Sequence, residues 1–275
     1  MNIVPIAELE YRTHMTEAAF FDLDKTIIAG SSSLAFGKPL YRAGFLRKGH
    51  LLRLGIGQFA YMLFGADEDA LERARDEMLD LVSGWHKAEI DMIVAQTLDE
   101  VIEPLVFAEA LFLIDEHMRS GRKVYVVSAS PEEFVTPIAK MVGIDNVIAT
   151  KIRTDGLGRF VPELDRYVMG PGKVEAMREV AERDGIDLEG SYAYTDSFTD
   201  MPMLEVVGHP VAVNPEKELR EAAAENEWPI LEFQRPVSLE PRVQAPPKRV
   251  WIPVVAGVAT VAIAIAMNKR RHVAG

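Results

Sequence analysis

The chain has 275 residues, of which 48% are hydrophobic, a formal net charge of -12 and no cysteine. That size and apolar content are enough to build a packed core and exclude disorder of the whole chain. The acidic surplus argues against a nucleic-acid partner, because neutralising phosphates takes clustered Lys and Arg. Without cysteine there are no disulfides, thiolate metal sites or cysteine nucleophiles.

Residues 1–17 read as an extension and not a secretory signal, since acidic residues come early and no uninterrupted apolar run follows a basic start. The folded part is therefore expected to stay on the cytoplasmic side. From residue 18 short apolar runs alternate with longer amphipathic ones, the pattern of a parallel sheet covered by helices. Strands are predicted at Ala18 to Leu23, Lys123 to Ser128, Asn146 to Thr150, Ser191 to Thr195 and Pro210 to Val213. Helices are predicted at Phe107 to Gly121, Pro131 to Gly143 and Lys173 to Gly185, two of which close on a glycine that suits a helix stop. The fold expected for residues 18–233 is thus α/β, a doubly wound parallel sheet.

The gap between the first two strands is too long for one crossover helix, so residues from about 34 to 103 are expected to form an inserted helical cap. No acidic residue occurs between Lys25 and Asp67, while Lys38, Arg42, Arg47, Lys48 and Arg53 are interleaved with aromatic and aliphatic side chains. That stretch suits an anionic or interfacial partner, or equally a helix pair with one solvated basic face. The triplet Ser31, Ser32 and Ser33 reads as a flexible linker into the cap. Residues 234–249, rich in proline, read as an extended linker. Val250 to Met267 (VWIPVVAGVATVAIAIAM) carries no charge and has basic residues on both sides. As a helix it would span about 27 Å, close to a thin bilayer, and it is predicted to be a transmembrane anchor followed by a basic tail, 268–275.

The ends of the predicted strands carry the chemistry. The first delivers Asp22 and Asp24, with Thr26 just beyond, in FFDLDKT; the second delivers Ser128 in VVSAS; the fourth delivers Asp196 and Asp200 in TDSFTD. Lys173 opens a helix in GPGK. In an open parallel sheet these points converge on one crevice. Carboxylates from two strands make a hard, oxygen-lined site that suits Mg²⁺ better than zinc or copper. Ser130-Pro131-Glu132-Glu133 reads as a capping box, which would aim a helix amino terminus at an anion in the same place.

These four motifs, in this order, resemble those of the haloacid dehalogenase superfamily of aspartate-nucleophile phosphatases, in the phosphoserine-phosphatase-like branch with a helical cap after the first strand. The resemblance spans about residues 18–233. It implies Asp22 as nucleophile, Asp24 as general acid and base, and Mg²⁺ held by Asp22, the Asp24 carbonyl and Asp196. It further implies phosphoryl binding by Ser128, Ala129 and Lys173, with Thr26 shaping the loop and Asp200 either joining the metal or orienting Lys173. Relatives that hydrolyse phosphoserine carry acidic residues shortly after the nucleophile loop. Here Ala29, Gly30 and Ser31 stand there, which argues against phosphoserine as main substrate. The expected substrate is a phospholipid-related or small-metabolite phosphomonoester met at the cytoplasmic face of a membrane. Two alternatives stay open: a phosphotransferase using the same aspartyl-phosphate, and a catalytically idle, membrane-tethered phosphate-binding module.

Overall fold

The computed structural model describes residues 16–47, 49 and 68–234. The amino-terminal extension, much of the basic stretch of the insertion, the proline-rich linker after Gln234 and the apolar run Val250 to Met267 lie outside them. Among the described residues no helix is long and apolar enough to cross a membrane.

The sheet has seven strands: β1 (Ala18–Phe21), β2 (Lys123–Pro131), β3 (Asn146–Thr154), β4 (Phe160–Arg166), β5 (Tyr192–Thr195), β6 (His209–Val213) and β7 (Ile230–Leu231). Their order is β4-β3-β2-β1-β5-β6-β7, parallel throughout except for β4, which runs antiparallel to β3. β1 is wholly buried, and its AAFF sequence shows why it reads as one apolar run. Ala19 and Phe21 face one apolar cluster, Ala18 and Phe20 the other, so both faces of the strand are covered.

On the first face β1 packs with Ala110 and Ile114 of α5 (Ala108–Arg119) and Val135 and Ile138 of α6 (Glu132–Met141). On the second it packs with Ala176, Met177 and Val180 of α7 (Pro171–Asp184), with Met203 and Leu204 of α8 (Met201–Glu205) and with Leu219 and Ala223 of α9 (Lys217–Glu225). α7 stops at Gly185, whose left-handed backbone returns its N–H to the Ala181 carbonyl. Strand order turns around at β1, with β2 and β3 laid down on one side and β5 to β7 on the other. The carboxyl end of β1 is therefore the crevice where such sheets bind ligands.

Between β1 and β2 the described chain is helical: α1 (Ser32–Ala35), α2 (Gly37–Arg42), α3 (Glu68–Val82), α4 (Lys87–Val101) and a 3-10 turn at Glu103–Leu105. Ile90 and Val94 of α4 join the core cluster on the Phe21 face.

Three local expectations are corrected. β1 ends at Phe21, so Asp22 and Leu23 already belong to the loop. β2 continues to Pro131 through a bulge, in which Ser128 pairs with Ala149 and Pro131 with Thr150, two extra residues being pushed out on the β2 side. As a result Pro131 is the residue before α6, no side chain caps that helix, and the capping box does not form. β4 was not anticipated, although Asp155 with Gly156 between alternating segments is a hairpin signal. Asp155 Oδ1 accepts from the N–H groups of Leu157 and Arg159, both at 2.9 Å. The hairpin also holds the insertion: Gly84 N–H donates to the Phe160 carbonyl (2.8 Å), Phe160 N–H to Trp85 (2.9 Å) and Lys87 N–H to Gly158 (3.0 Å).

Candidate active site

Asp22 follows the last residue of β1, and its N–H donates to the Tyr194 carbonyl of β5 at 2.9 Å, extending the ladder by one bond. Its side chain stands in the crevice with the residue only 7% exposed. Lys173 reaches it from the first turn of α7, which begins at Pro171, a residue suited to the first helical position. The Lys173 ammonium is fully enclosed and donates to Asp22 Oδ1 and Asp200 Oδ2, both at 2.6 Å. Asp200 Oδ2 also accepts from the Thr195 hydroxyl at 2.7 Å. Of the two roles expected for Asp200, orienting Lys173 is the one this contact supplies.

Asp196 follows β5 directly and is 5% exposed, with Lys25 Nζ 3.3 Å from its Oδ2. Glu216 braces this turn. Its N–H donates to the Asp196 carbonyl (2.9 Å), and its Oε1 accepts from Phe198 N–H (2.7 Å) and the Ser197 hydroxyl (3.2 Å). Ser128, 2% exposed, lies at the start of the β2 bulge; its Oγ accepts from Ser130 N–H at 3.2 Å, which leaves its own O–H free to donate. Ala129, half-buried, is the next residue of the bulge.

The loop after Asp24 is held by the main chain. Leu23 O accepts from the N–H groups of Ile27 (2.9 Å) and Ile28 (3.1 Å), and Lys25 N–H reaches Gly30 O (3.2 Å). The turn is tight enough that Lys25 takes a left-handed φ of 58°. Thr26 is fully buried, and its hydroxyl makes no hydrogen bond among the described residues.

Sequence reading missed what surrounds Asp24. Ser32, taken as flexible linker, is 0% exposed; its N–H donates to Asp24 Oδ1 at 2.7 Å and its hydroxyl donates to Ser130 Oγ at 2.9 Å. Ser130 Oγ in turn donates to Asp24 Oδ2 at 3.1 Å. The signal was the small, hydroxylated run SSS placed a few residues after a catalytic-looking carboxylate, which reads equally well as a turn.

The electrostatics follow from burial. It pushes Asp22 well above the usual carboxylate range, against the pull of Lys173, while Asp200, Asp196 and Asp24 push in the same direction as burial. Burial likewise raises Asp24, opposed by the hydrogen bonds from Ser32 and Ser130. Asp196 is pushed up to about 6, again mainly by burial, with Lys25 opposing. Burial works against the charge on Lys173, but Asp200 and Asp22 outweigh it and hold the ammonium protonated.

Four carboxylates, Asp22, Asp24, Asp196 and Asp200, thus share one crevice with the cations Lys173 and Lys25. Among the described residues no three acidic or imidazole side chains already stand as a ready-made metal-ligand group. The donor set is nevertheless all hard oxygen, and its charge exceeds what the two lysines neutralise. These residues fit a divalent cation such as Mg²⁺ in donor chemistry and in charge.

Comparison with known proteins agrees with the geometry. The family model for haloacid dehalogenase-like hydrolases matches residues 19–205. A probable phosphatase of Mycobacterium tuberculosis is 48% identical over 229 residues, covering 83% of this chain and 79% of that one. The inhibition of morphological differentiation protein of Streptomyces azureus is 44% identical over 260 residues, 92% of this chain and 94% of its own. A crystal structure of a Bordetella pertussis protein of unknown function superposes with a TM-score of 0.70 at 26% identity, covering 79% of this chain and 98% of that chain. With a family match that takes in Asp22, Ser128, Lys173 and Asp200, the chain belongs to the haloacid dehalogenase-like hydrolases.

Proposed function

We propose that the chain is a Mg²⁺-dependent phosphatase that hydrolyses phosphomonoesters through an aspartyl-phosphate on Asp22. The observation that carries this reading is the Lys173 ammonium bridging Asp22 and Asp200 at 2.6 Å in the crevice that also receives Ser128, Asp24 and Asp196. A buried carboxylate beside a fixed cation is a nucleophile with a place for phosphoryl oxygens next to it. The M. tuberculosis relative named a probable phosphatase supports the same class.

In the first half-reaction an Asp22 oxygen bonds to phosphorus as the ester P–O bond breaks, and Asp24 gives its proton to the departing alkoxide. In the second, water attacks the same phosphorus, Asp24 takes its proton, and Asp22 leaves as a free carboxylate with release of inorganic phosphate. Lys173 and the Ser128 hydroxyl hold phosphoryl oxygens, with Ala129 lining the same bulge. Asp22, the Asp24 carbonyl and Asp196 would hold Mg²⁺, which when bound offsets the repulsion between a carboxylate and a phosphate dianion.

The test is phosphate release by the purified chain across a panel of phosphomonoesters, with and without Mg²⁺, against Asp22→Asn. Turnover that needs Mg²⁺ and vanishes in Asp22→Asn is the expected result; release untouched by that substitution would overturn the reading. Alcohol acceptors added to the same assay detect the phosphotransferase alternative as phosphorylated alcohol. Binding of phosphate without any turnover would identify the idle binding module.

The proposal places the substrate outside the phosphoserine class, because Ala29, Gly30 and Ser31 offer no carboxylate for a substrate ammonium. It also tethers the enzyme to the cytoplasmic face of a membrane through Val250 to Met267, where the basic, aromatic stretch of the insertion would meet a phosphorylated lipid or a metabolite at the surface. Turnover of phosphatidate in vesicles, compared with soluble esters, checks this part. Equal rates, insensitive to neutralising Arg42, Arg47, Lys48 and Arg53, would remove it.

A further inference from the structure

Both oxygens of Asp24 are spoken for, by groups that come from two distant segments of the chain. Oδ1 accepts the main-chain N–H of Ser32, the first residue of α1, where the chain leaves the core for its helical insertion. Oδ2 accepts the hydroxyl of Ser130, a residue of the β2 bulge. The two arms are joined, since Ser32 Oγ donates to Ser130 Oγ and thereby fixes which way the Ser130 hydroxyl points. Ser33 Oγ lies 3.5 Å from the same oxygen, on the exposed side. Ser32 is fully buried, Ser130 nearly so and Asp24 half-buried, which limits the competition of water for these bonds.

A carboxylate on a short side chain rotates about two bonds, and each bond to a fixed donor removes part of that freedom. Two donors, one on each oxygen, fix the plane of the carboxyl group. We infer that Ser130 and Ser32 are positioning residues for Asp24, holding its carboxyl plane where it can pass a proton to the leaving oxygen, and that the entry of the insertion is thereby part of the proton-transfer apparatus. This rests on the proposed hydrolase reading with Asp24 as general acid. It goes beyond that reading in assigning roles to two serines, one of which lies in the segment that connects core and insertion. The bulge acquires a reason at the same time. By pushing two extra residues out of β2, it puts Ser128 Oγ under the N–H of Ser130 and Ser130 Oγ against Asp24, so one irregularity orients two hydroxyls.

The experiment uses the dependence of general-acid catalysis on the leaving group. Expelling an alkoxide needs a proton in the transition state, while expelling p-nitrophenolate hardly does. The value of kcat/KM for ethyl phosphate and for p-nitrophenyl phosphate is measured for each variant, because this parameter ends at the step that releases the alcohol and is blind to the later attack of water. The reported quantity is the ratio of the two values.

Asp24→Asn sets the scale and is expected to shift the ratio against ethyl phosphate by about 100-fold or more, the range of a lost general acid. Ser130→Ala removes one arm and is expected to shift it the same way by about tenfold, with Ser130→Thr, which keeps the hydroxyl, restoring it. Ser32→Pro removes the N–H arm and the hydroxyl together. Proline suits the backbone there, because Ser32 is the first helical residue and Ser31 before it is extended at φ -91° and ψ 125°, but its ring takes the place of the hydrogen that points at Asp24 Oδ1 and pushes the carboxyl aside. Its shift should equal or exceed that of Ser130→Ala, while Ser32→Ala, which only frees the Ser130 hydroxyl, should shift the ratio least.

Thermal melts accompany each variant, and if Ser130→Ala melts early the decision passes to Ser32→Pro and Ser130→Thr. Equal losses on both esters, or no loss, would overturn the positioning role while Asp24→Asn still shows its selective defect. If Asp24→Asn itself shows no selectivity, the fault lies in the general-acid reading, and the inference falls with it. Loss of all turnover in wild type, with Asp22→Asn indistinguishable, would mark the failure of the hydrolase reading.

Discussion

Replacing Asp200 by Asn isolates the charge that holds Lys173. The amide oxygen of asparagine can still accept from both the Thr195 hydroxyl and the Lys173 ammonium, so shape and hydrogen-bond count survive while the charge goes. At 2.6 Å and an effective dielectric of about 20, the gross attraction is about 6 kcal/mol. Desolvation cancels much of that, and breaking a buried ion pair outright costs about 3–5 kcal/mol. Lys173 keeps Asp22 as a second partner, so the expected loss is about 2–3 kcal/mol, or about 5–10 °C in Tm for a domain of this size. The assay is urea unfolding followed by circular dichroism at pH 7.5 without added divalent cation, in the wild-type and in the Lys173→Met background. Without the ammonium, Asp22 and Asp200 are two unbalanced buried carboxylates, and the same Asp200→Asn change should then stabilise by about 1 kcal/mol or more. The sign reversal is the point of the experiment. If Asp200→Asn costs less than about 0.5 kcal/mol in wild type, or has the same sign in both backgrounds, the ammonium is not held in the way the geometry indicates.

The insertion and the core meet at an analogous pair. Glu133 of α6 is 4% exposed, with Lys87 of α4 at 3.1 Å from its Oε1, and burial pushes its carboxyl upward against the pull of that lysine. Lys87→Met should therefore cost about 1–3 kcal/mol in urea unfolding at neutral pH, and adding Glu133→Gln should recover most of it. A double variant as unstable as the single one would show that the methylene stem of Lys87, not its charge, matters. His117 gives a pH test. Its ring donates to or accepts from the Tyr194 hydroxyl at 2.7 Å, and burial, helped by Arg122, lowers it to about 4. The folded chain thus binds fewer protons there than the unfolded one between about pH 6.5 and 4, and stability from this group falls as pH drops through that window. Asp196, raised to about 6, acts in the opposite sense over about pH 6 to 4, so the measurement is the difference between wild type and His117→Gln. That difference should change by up to about 3 kcal/mol from pH 7 to pH 4. A pH-independent difference would show that His117 is not kept neutral.

Much of the core was legible because it obeys simple periods. β1 reads as a strand from four consecutive apolar residues, and the three helices over α5, α6 and α7 read from their spacing and their glycine ends. Asp22, Asp24, Ser128, Lys173, Asp196 and Asp200 were visible because a parallel sheet delivers every strand end to one edge, so chain order alone predicts convergence. What was not legible depends on register and on long-range partners. Whether Ser130 caps a helix or leans on Asp24 is decided by two extra residues in a bulge, and no local propensity encodes that choice. Ser32 is 98 residues from Ser130, and Lys87 is 46 residues from Glu133; neither pair leaves a local trace.

The misreadings share a cause. Ser32 and Ser130 are small polar residues that sequence assigns to turns and caps, since in isolation their hydroxyls satisfy nearby main-chain groups. Burial changes the competition. With Ser130 only 9% exposed, the strongest acceptor within reach of its hydroxyl is the Asp24 carboxylate, and a charge-assisted bond to it outranks a neutral cap, while the Ser32 hydroxyl goes to Ser130 Oγ. The same reasoning explains Thr195, whose hydroxyl is given to Asp200. Proximity in sequence does not decide the matter: Thr26, buried two residues after Asp24, makes no hydrogen bond among the described residues, while Ser130, 106 residues away, is the hydroxyl that the fold brings to that acid.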